Sequence, residues 1–467
     1  MVTVLEKCRV SPPPGTTAGE ISLPLTFLDF TWLPFPPISR VIFFDISCST
    51  DHFTRNIIPD LKTSLSSVLQ HFSPLAGNFI KPANSNSEIE FQIRYVDSDS
   101  VSVTFAECND DFNHISGSQV RDADILKPLA PQLPRVTRLK LSGEECSAYP
   151  VLAIQVTIFP NNGVCFGITS SHVVADGSAM FNFVEAWASL ARQVISKADA
   201  ADCDFQRPYY DRSSLKNPLG LTTMFKSHYG DANIFEQMEK SILEHSAGDI
   251  KARATFVLNK ANIEALKKLV IQKKPGVPHV SSFTVACAYI WTCMAKTRAA
   301  FGQGLEQEPL NFAITYNCRA RLDPPLPASY FGNCIMAFVS GERRDNLAGE
   351  EGFVNAAEVI GKRLNTKLNN KEGILHNAEA FLKTEFEGVK RGEWFIGIAG
   401  SPNLDYYNTV DFGWGKPRKF EFVSEPLSIS RAKGSKVDLE LGIIMPKNEV
   451  DVFSSIFAQG LPGVLST

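Results

Sequence analysis

SHVVADGSAM, residues 171–180, separates two stretches of different period. Upstream, VLAIQVTIF (151–159), the turn PNNG (160–163) and VCFGITS (164–170) read as two strands of a hairpin, rich in β-branched and aromatic residues. Downstream, Phe181, Val184, Trp187, Ala191 and Val194 recur at three and four residues, the spacing of a helix face, with Ser178 placed to cap it. Residues 171–177 are therefore a strand-to-helix turn. His172 stands at its strand end, and Gly177 allows a backbone conformation closed to other residues.

The same alternation extends both ways. IIPDLKTSLSSVLQHF (57–72) carries Pro59 where a first helical turn tolerates it, and Leu61, Leu65, Val68, Leu69 and Phe72 on one face. From about Lys197 to Leu221 the chain is polar, with few periodic apolar positions, and reads as a connection between halves. The division expected is 1–196, a linker 197–221, and 222–467. In the second half, KANIEALKKLVI (260–271) is an amphipathic helix and SSFTVACAYIWTCMAKT (281–297) a buried one. RARLDPPLPASYFGNC (319–334) is a surface-hugging loop, SKVDLELGIIMP (435–446) a strand, and KNEVDVFSSIFAQGL (447–461) a terminal helix. Strands and helices without strict alternation imply a mixed α/β arrangement around large sheets.

A chain of 467 residues exceeds what one hydrophobic core usually supports, which also favours two domains. Its net charge of −4, with Lys and Arg scattered, leaves no footprint for nucleic acid. There is no signal-like N-terminus and no run of about 18 apolar residues, so neither secretion nor a membrane span is expected. Ten cysteines at irregular spacing, without C-x-x-C, read as reduced and mostly buried thiols of a cytoplasmic protein.

A histidine in a turn at a strand end is held by a rigid sheet yet free to meet a ligand, and its pKa suits general-base work. A metal site is not indicated, because neither H-E-x-x-H nor a second histidine pair is present. A serine hydrolase is not indicated either, since there is no G-x-S-x-G. A histidine satisfied by the core stays open on these residues alone.

Three motifs taken together, SHVVADG (171–177), YFGNC (330–334) and DFGWGKP (411–417), resemble those of the plant BAHD acyltransferases, in the branch that acylates anthocyanin and flavonoid glycosides. LPLTFLDF (23–30), PLAG (74–77) and NCRARLDPPLP (317–327) extend the resemblance over nearly the full length. It implies two chloramphenicol-acetyltransferase-like domains of mixed sheets and flanking helices, with a substrate channel at their interface. It also implies an acyl-CoA-dependent acyltransferase (EC 2.3.1), with acyl-CoA as co-substrate and no bound metal. The partners are small molecules, and a monomer is expected.

The resemblance makes His172 the general base and places Asp176 and Trp414 with it as catalytic candidates, Trp414 as a donor near the acyl carbonyl. It assigns Asp411, Gly413, Gly415 and Gly177 to shape, and pairs Asp176 with Arg319. CoA phosphates need cations or N–H groups. Lys251, Arg253, Ser281 and Ser282 are the candidates, with Ser282 at a helix start, whereas His279 is a bystander. Malonyl is favoured as the acyl group over a hydroxycinnamoyl group such as coumaroyl or caffeoyl, although one malonyl-transferring relative has an arginine where this chain has Met180. From a different class, a non-catalytic phenolic-glycoside binding protein would be marked by loss of the histidine or of the motif glycines, and both are intact.

Overall fold

The structure, a computed structural model, describes residues 1–17, 19–84, 87–197, 205–217, 220–229, 250–302, 309–370, 373–376, 378 and 395–461. Residues 198–204, with Cys203, and 218–219 of the expected linker lie outside the described residues.

The hairpin read from sequence forms the middle of a six-stranded sheet. Leu152–Phe159 pairs antiparallel with Gly163–Ser170, Leu152 opposite Ser170 and Phe159 opposite Gly163. The order across the sheet is Val2–Val10, Val101–Cys108, Leu152–Phe159, Gly163–Ser170, Ile38–Asp45 and Lys419–Phe422. Both hairpin strands are buried throughout, because helices and loops cover both faces. That explains their unbroken apolar runs, where a half-exposed strand would alternate. The helices Ile58–Leu69 and Gly177–Ser196 pack together, and the buried Trp187 indole donates to Ser64 Oγ (3.2 Å).

A second sheet contains Leu427–Arg431, Leu439–Pro446, Lys251–Leu258 and Arg121–Asp122, and a third Ile335–Arg343, Pro309–Asn317 and Phe395–Gly397. A five-stranded sheet lies within residues 21–150. Two strands cross between the halves of the sequence. Lys419–Phe422 adds to the edge strand Ile38–Asp45, and Arg121–Asp122 pairs with Lys251–Leu258.

A buried ionic cluster ties these crossings together. Glu421 accepts from both Arg121 (2.7 Å) and Arg253 (3.0 Å). The helix Ser282–Ala300 is buried nearly all round, packed by Gly352–Leu368 and Lys447–Gln459. The helix over 260–271 is present as Lys260–Lys273, capped by Asn259, and the terminal strand and helix as Leu439–Pro446 and Lys447–Gln459. No helix among the described residues is long and apolar enough to cross a membrane. The nine cysteines among the described residues are unpaired, and all but Cys8 are buried.

Two local readings are corrected. The cap of the helix after the turn is Asp176, whose Oδ1 accepts from the backbone N–H of Ser178 and Ala179, both at 3.0 Å. Ser178 is the second helical residue. Gly177 opens the helix without a left-handed φ. A Cβ there would stand 3.2 Å from Leu404 Cδ1, a tight approach to a side chain and not a backbone constraint.

Candidate active site

His172 leaves the Gly163–Ser170 strand into a turn whose walls come from segments far apart in sequence. The Asp176 carboxylate is fully buried and fully engaged. Arg319 grips it at both oxygens, Nη1 to Oδ2 at 2.7 Å and Nη2 to Oδ1 at 3.0 Å, and the Cys334 N–H donates to Oδ2 at 2.9 Å. The ion pair expected from the sequence is thus present. With every lone pair spoken for, Asp176 holds the turn to the 319–334 loop and makes no hydrogen bond to the imidazole. Arg319 Nη2 also donates to the carbonyls of Tyr330 and Gly332.

Asn333, buried within YFGNC, donates through Nδ2 to the His172 carbonyl (2.9 Å) and to Asp29 Oδ1 (3.1 Å). Asp29, fully buried, takes the Asn333 N–H at 3.0 Å as well and forms an ion pair with Arg212. The segment read as a polar linker therefore contributes directly. Tyr209 bridges to Tyr330, and Arg212 ties the 319–334 loop to the 23–30 segment. Gly332 has φ +138°, and a Cβ there would meet Arg212 Nη2 at 3.0 Å. Glycine is required at that position on both counts.

That clamp brings up a residue not singled out in the sequence. The Trp32 indole lies flat against the His172 imidazole, centroids 4.1 Å apart and planes 10° from parallel. The only sequence signal for Trp32 is an aromatic directly after LPLTFLDF in the proline-rich run TWLPFPP. Trp32 Nε1 and His172 Nδ1 are both enclosed without a hydrogen-bond partner. Stacking, not a hydrogen bond to Nδ1, orients the ring. Burial, reinforced by the Arg40 charge and opposed by the His172 backbone carbonyl, by the Asp176 charge and by the Asn333 side chain as an acceptor, pulls the His172 pKa down to about 4. The imidazole is consequently neutral near pH 7, with a lone pair free to take a proton.

DFGWG packs on the same sheet. Asp411 Oδ1 accepts from the N–H groups of Gly413 (2.8 Å) and Gly415 (2.9 Å), which have φ of +102° and +88°. This tight turn seats Phe412 against Phe166 (4.3 Å, stacked) and Trp187 (5.1 Å, edge-on). Trp414 lies about 6 Å from Phe44 and Phe166, half-buried. Its contacts are aromatic packing, and none of its ring contacts is to His172.

Arg253 is corrected outright. It is 4 % exposed, and its guanidinium is spent on Glu421 and on the carbonyls of Ala123, Phe422 and Val423, so it cannot serve a phosphate in this arrangement. Lys251, two residues earlier on the strand, is half-buried. Ser281 caps the Ser282–Ala300 helix, accepting from Thr284 N–H at 3.0 Å, and Ser282 is its first residue. Met180 is fully buried in the core. Among the described residues no group of three His, Cys, Asp or Glu could hold a metal ion.

The site is thus a histidine held at a strand-to-helix turn of a mixed α/β fold, clamped by loops from distant parts of the chain. Residues 1–454 match the model of the Transferase family. The chain belongs to that family, the plant BAHD acyltransferases, and is an acyl-CoA-dependent acyltransferase. Over its full length it is 37 % identical to a malonyl-coenzyme A:anthocyanin 3-O-glucoside-6''-O-malonyltransferase of Dahlia pinnata, covering 99 % of that protein. It is 39 % identical to phenolic glucoside malonyltransferase 1 of Nicotiana tabacum, over 91 % of this chain and 90 % of that one. A coumaroyl-CoA:anthocyanidin 3-O-glucoside-6''-O-coumaroyltransferase of Arabidopsis thaliana is 31 % identical over 98 % of this chain and 97 % of its own. The fold is shared with vinorine synthase, with a TM-score of 0.66, 18 % identity, and coverage of 100 % of this chain and 99 % of that one.

Proposed function

We propose that the enzyme moves a malonyl group from malonyl-CoA to a sugar hydroxyl of an anthocyanin, flavonoid or other phenolic glucoside, with His172 as general base. The observation that carries this reading is the neutral His172 imidazole, fixed between Trp32 and the Asn333 clamp. A sugar hydroxyl is a poor nucleophile until its proton is removed. Nε2 of His172 takes that proton as the oxygen attacks the thioester carbonyl. The tetrahedral intermediate then collapses, the C–S bond breaks, and the imidazolium returns the proton to the departing CoA thiolate. Both substrates are bound together, so no acyl-enzyme forms.

The imidazolium formed in passing is stabilised by the Trp32 face and by Asp176. Trp414 and the DFGWG turn act through shape, shoring up the sheet face beside the histidine. The proposal includes two lobes, 1–196 and 222–467, acting as a cytoplasmic monomer with the channel between them. The malonyltransferases among the relatives support the donor and the glucoside acceptor.

The test is product mass after incubation with a flavonoid or anthocyanin glucoside and, separately, malonyl-CoA, p-coumaroyl-CoA and acetyl-CoA, with His172→Ala in parallel. A malonyl adduct that the variant does not form is expected. A coumaroyl adduct alone would replace the donor, and no adduct with any pair would overturn the reaction.

A further inference from the structure

Arg40 is a buried cation that forms no ion pair among the described residues. It sits on the Ile38–Asp45 strand, opposite Ile168 on one side and Phe422 on the other, and is 4 % exposed. Along that strand Ile42 and Phe44 pack into the large core while Val41 and Phe43 face the smaller one. Alternation therefore points Arg40 to the large-core face, where Phe44 and Phe166 meet Trp414. On the neighbouring strand the same face carries Phe166, Ile168 and Ser170, and the chain then reaches His172.

Nη2 of the guanidinium lies 3.5 Å from Ser170 Oγ, the outer limit of a hydrogen bond, and the Tyr406 hydroxyl also lies within reach of the side chain. Nε and Nη1 are enclosed without any partner. Buried charges are ordinarily paired, and unmade hydrogen bonds there are costly. The acidic neighbour is Glu425, whose carboxyl burial pushes up and the Arg40 charge pulls down; the two form no ion pair among the described residues. The Arg40 charge does act on His172, which places it within electrostatic reach of the base. A planar fork with free N–H groups is suited to a carboxylate.

We infer that Arg40 binds the free carboxylate of the acyl group and so selects a dicarboxylic acyl donor, of which malonyl-CoA is the short member. The juxtaposition is Arg40 within reach of Ser170, the last residue of the strand and two residues before His172 in the chain. In malonyl-CoA the carboxylate is one methylene from the reacting carbonyl, so its cation must lie near the base, as Arg40 does. A hydroxycinnamoyl group would instead leave the enclosed N–H groups of Arg40 unpaired. This inference rests on the acyl-transfer reading above and adds the residue that sets the donor.

The experiment separates the two. His172→Ala, which is not expected to turn over, is titrated calorimetrically with malonyl-CoA, acetyl-CoA and p-coumaroyl-CoA, alongside His172→Ala/Arg40→Gln. The first is expected to bind malonyl-CoA about 30-fold or more tighter than acetyl-CoA, and the second to lose most of that ratio, the loss falling on malonyl-CoA. A ratio unchanged by Arg40→Gln overturns the inference, as does a preference of the parent variant for acetyl-CoA or p-coumaroyl-CoA. If Arg40→Gln does not fold, Arg40→Lys is used: it keeps the charge but not the fork and is expected to narrow the ratio, and an unchanged ratio again overturns the inference. An Arg40-dependent malonyl preference without any acylated glucoside would sink the acceptor reading and leave Arg40 standing. Acylated glucoside with an Arg40-independent preference would do the reverse.

Discussion

The Trp32 ring covers one face of the His172 ring at 4.1 Å, almost parallel to it, and is the closest aromatic neighbour described for the proposed base. Two functions follow from that geometry. The stack fixes the plane of an imidazole whose Nδ1 is enclosed without a partner, and in the proposed mechanism its π-face attracts the imidazolium. Trp32→Ala is expected to lower kcat by roughly 30-fold, the equivalent of about 2 kcal/mol for a desolvated cation–π contact. Trp32→Phe, which keeps a ring on the histidine, should recover most of that. Steady-state kinetics of both variants, with thermal melts to register lost packing, distinguish a stacking role from a merely space-filling one: a filler predicts parallel losses of stability and rate in the two variants.

The Asp176–Arg319 pair carries structure, not proton transfer. Removing one partner strands the other in the interior, so Asp176→Ala and Arg319→Ala should each cost about 3–5 kcal/mol of stability. Arg319→Lys loses the two-pronged grip and the Tyr330 and Gly332 carbonyl bonds and should be only a partial substitute. Ser178→Ala should change stability by less than about 0.5 kcal/mol, since the cap is Asp176. Urea unfolding of the four variants checks the ranking; equal losses for Ser178→Ala and Asp176→Ala would refute the capping assignment.

Much of this arrangement was legible in the sequence because it is local. The hairpin, the strand-to-helix turn and the buried helix at Ser282–Ala300 each announce themselves by period within about 20 residues. The Arg319 partner of Asp176 came from a resemblance between motifs. What escaped is long-range. Trp32, Asp29 and Arg212 reach His172 and the YFGNC loop through tertiary contacts spanning some 140 to 300 residues, which no periodicity encodes. Arg253 misled for the same reason, because an arginine in a strand reads as surface until its buried partner Glu421, 168 residues later, is known. The cap went to Ser178 in place of Asp176 because both residues are good caps, and only the backbone decides between them.

The DFGWG turn depends on left-handed backbone at its glycines. At Gly413 a Cβ would have room, its nearest neighbour being Arg192 Cα at 3.6 Å, so the cost of Gly413→Ala comes from φ at +102°. About 1–2 kcal/mol of strain is expected. If the motif acts by seating Phe412 and Trp414, Gly413→Ala should lower stability and activity together, while Asp411→Asn, which keeps an acceptor oxygen for both N–H groups, should be milder. A Gly413→Ala enzyme of full stability and no activity would point instead to chemistry at the turn.

The depressed pKa of His172 predicts an unusual pH profile. With the folded value at about 4 and the ordinary value at 6.5, the base is already neutral across mildly acidic solution. The acid limb of kcat/KM should therefore fall through about pH 4 and not near pH 6.5, provided the enzyme stays folded. Stability has its own sign. Between the two values the unfolded chain binds more protons than the folded one, so stability rises with pH there and is lost as pH falls from 6.5 toward about 4. His172→Gln removes the titrating group and should flatten that part of the stability curve. Arg40→Gln, by deleting a positive charge that disfavours the imidazolium, should move the acid limb upward in pH. Both profiles are read with glucoside and malonyl-CoA at saturating and limiting concentrations, and an acid limb centred near pH 6.5 in the wild-type enzyme would mean that substrate binding, or a different base, sets the protonation that matters.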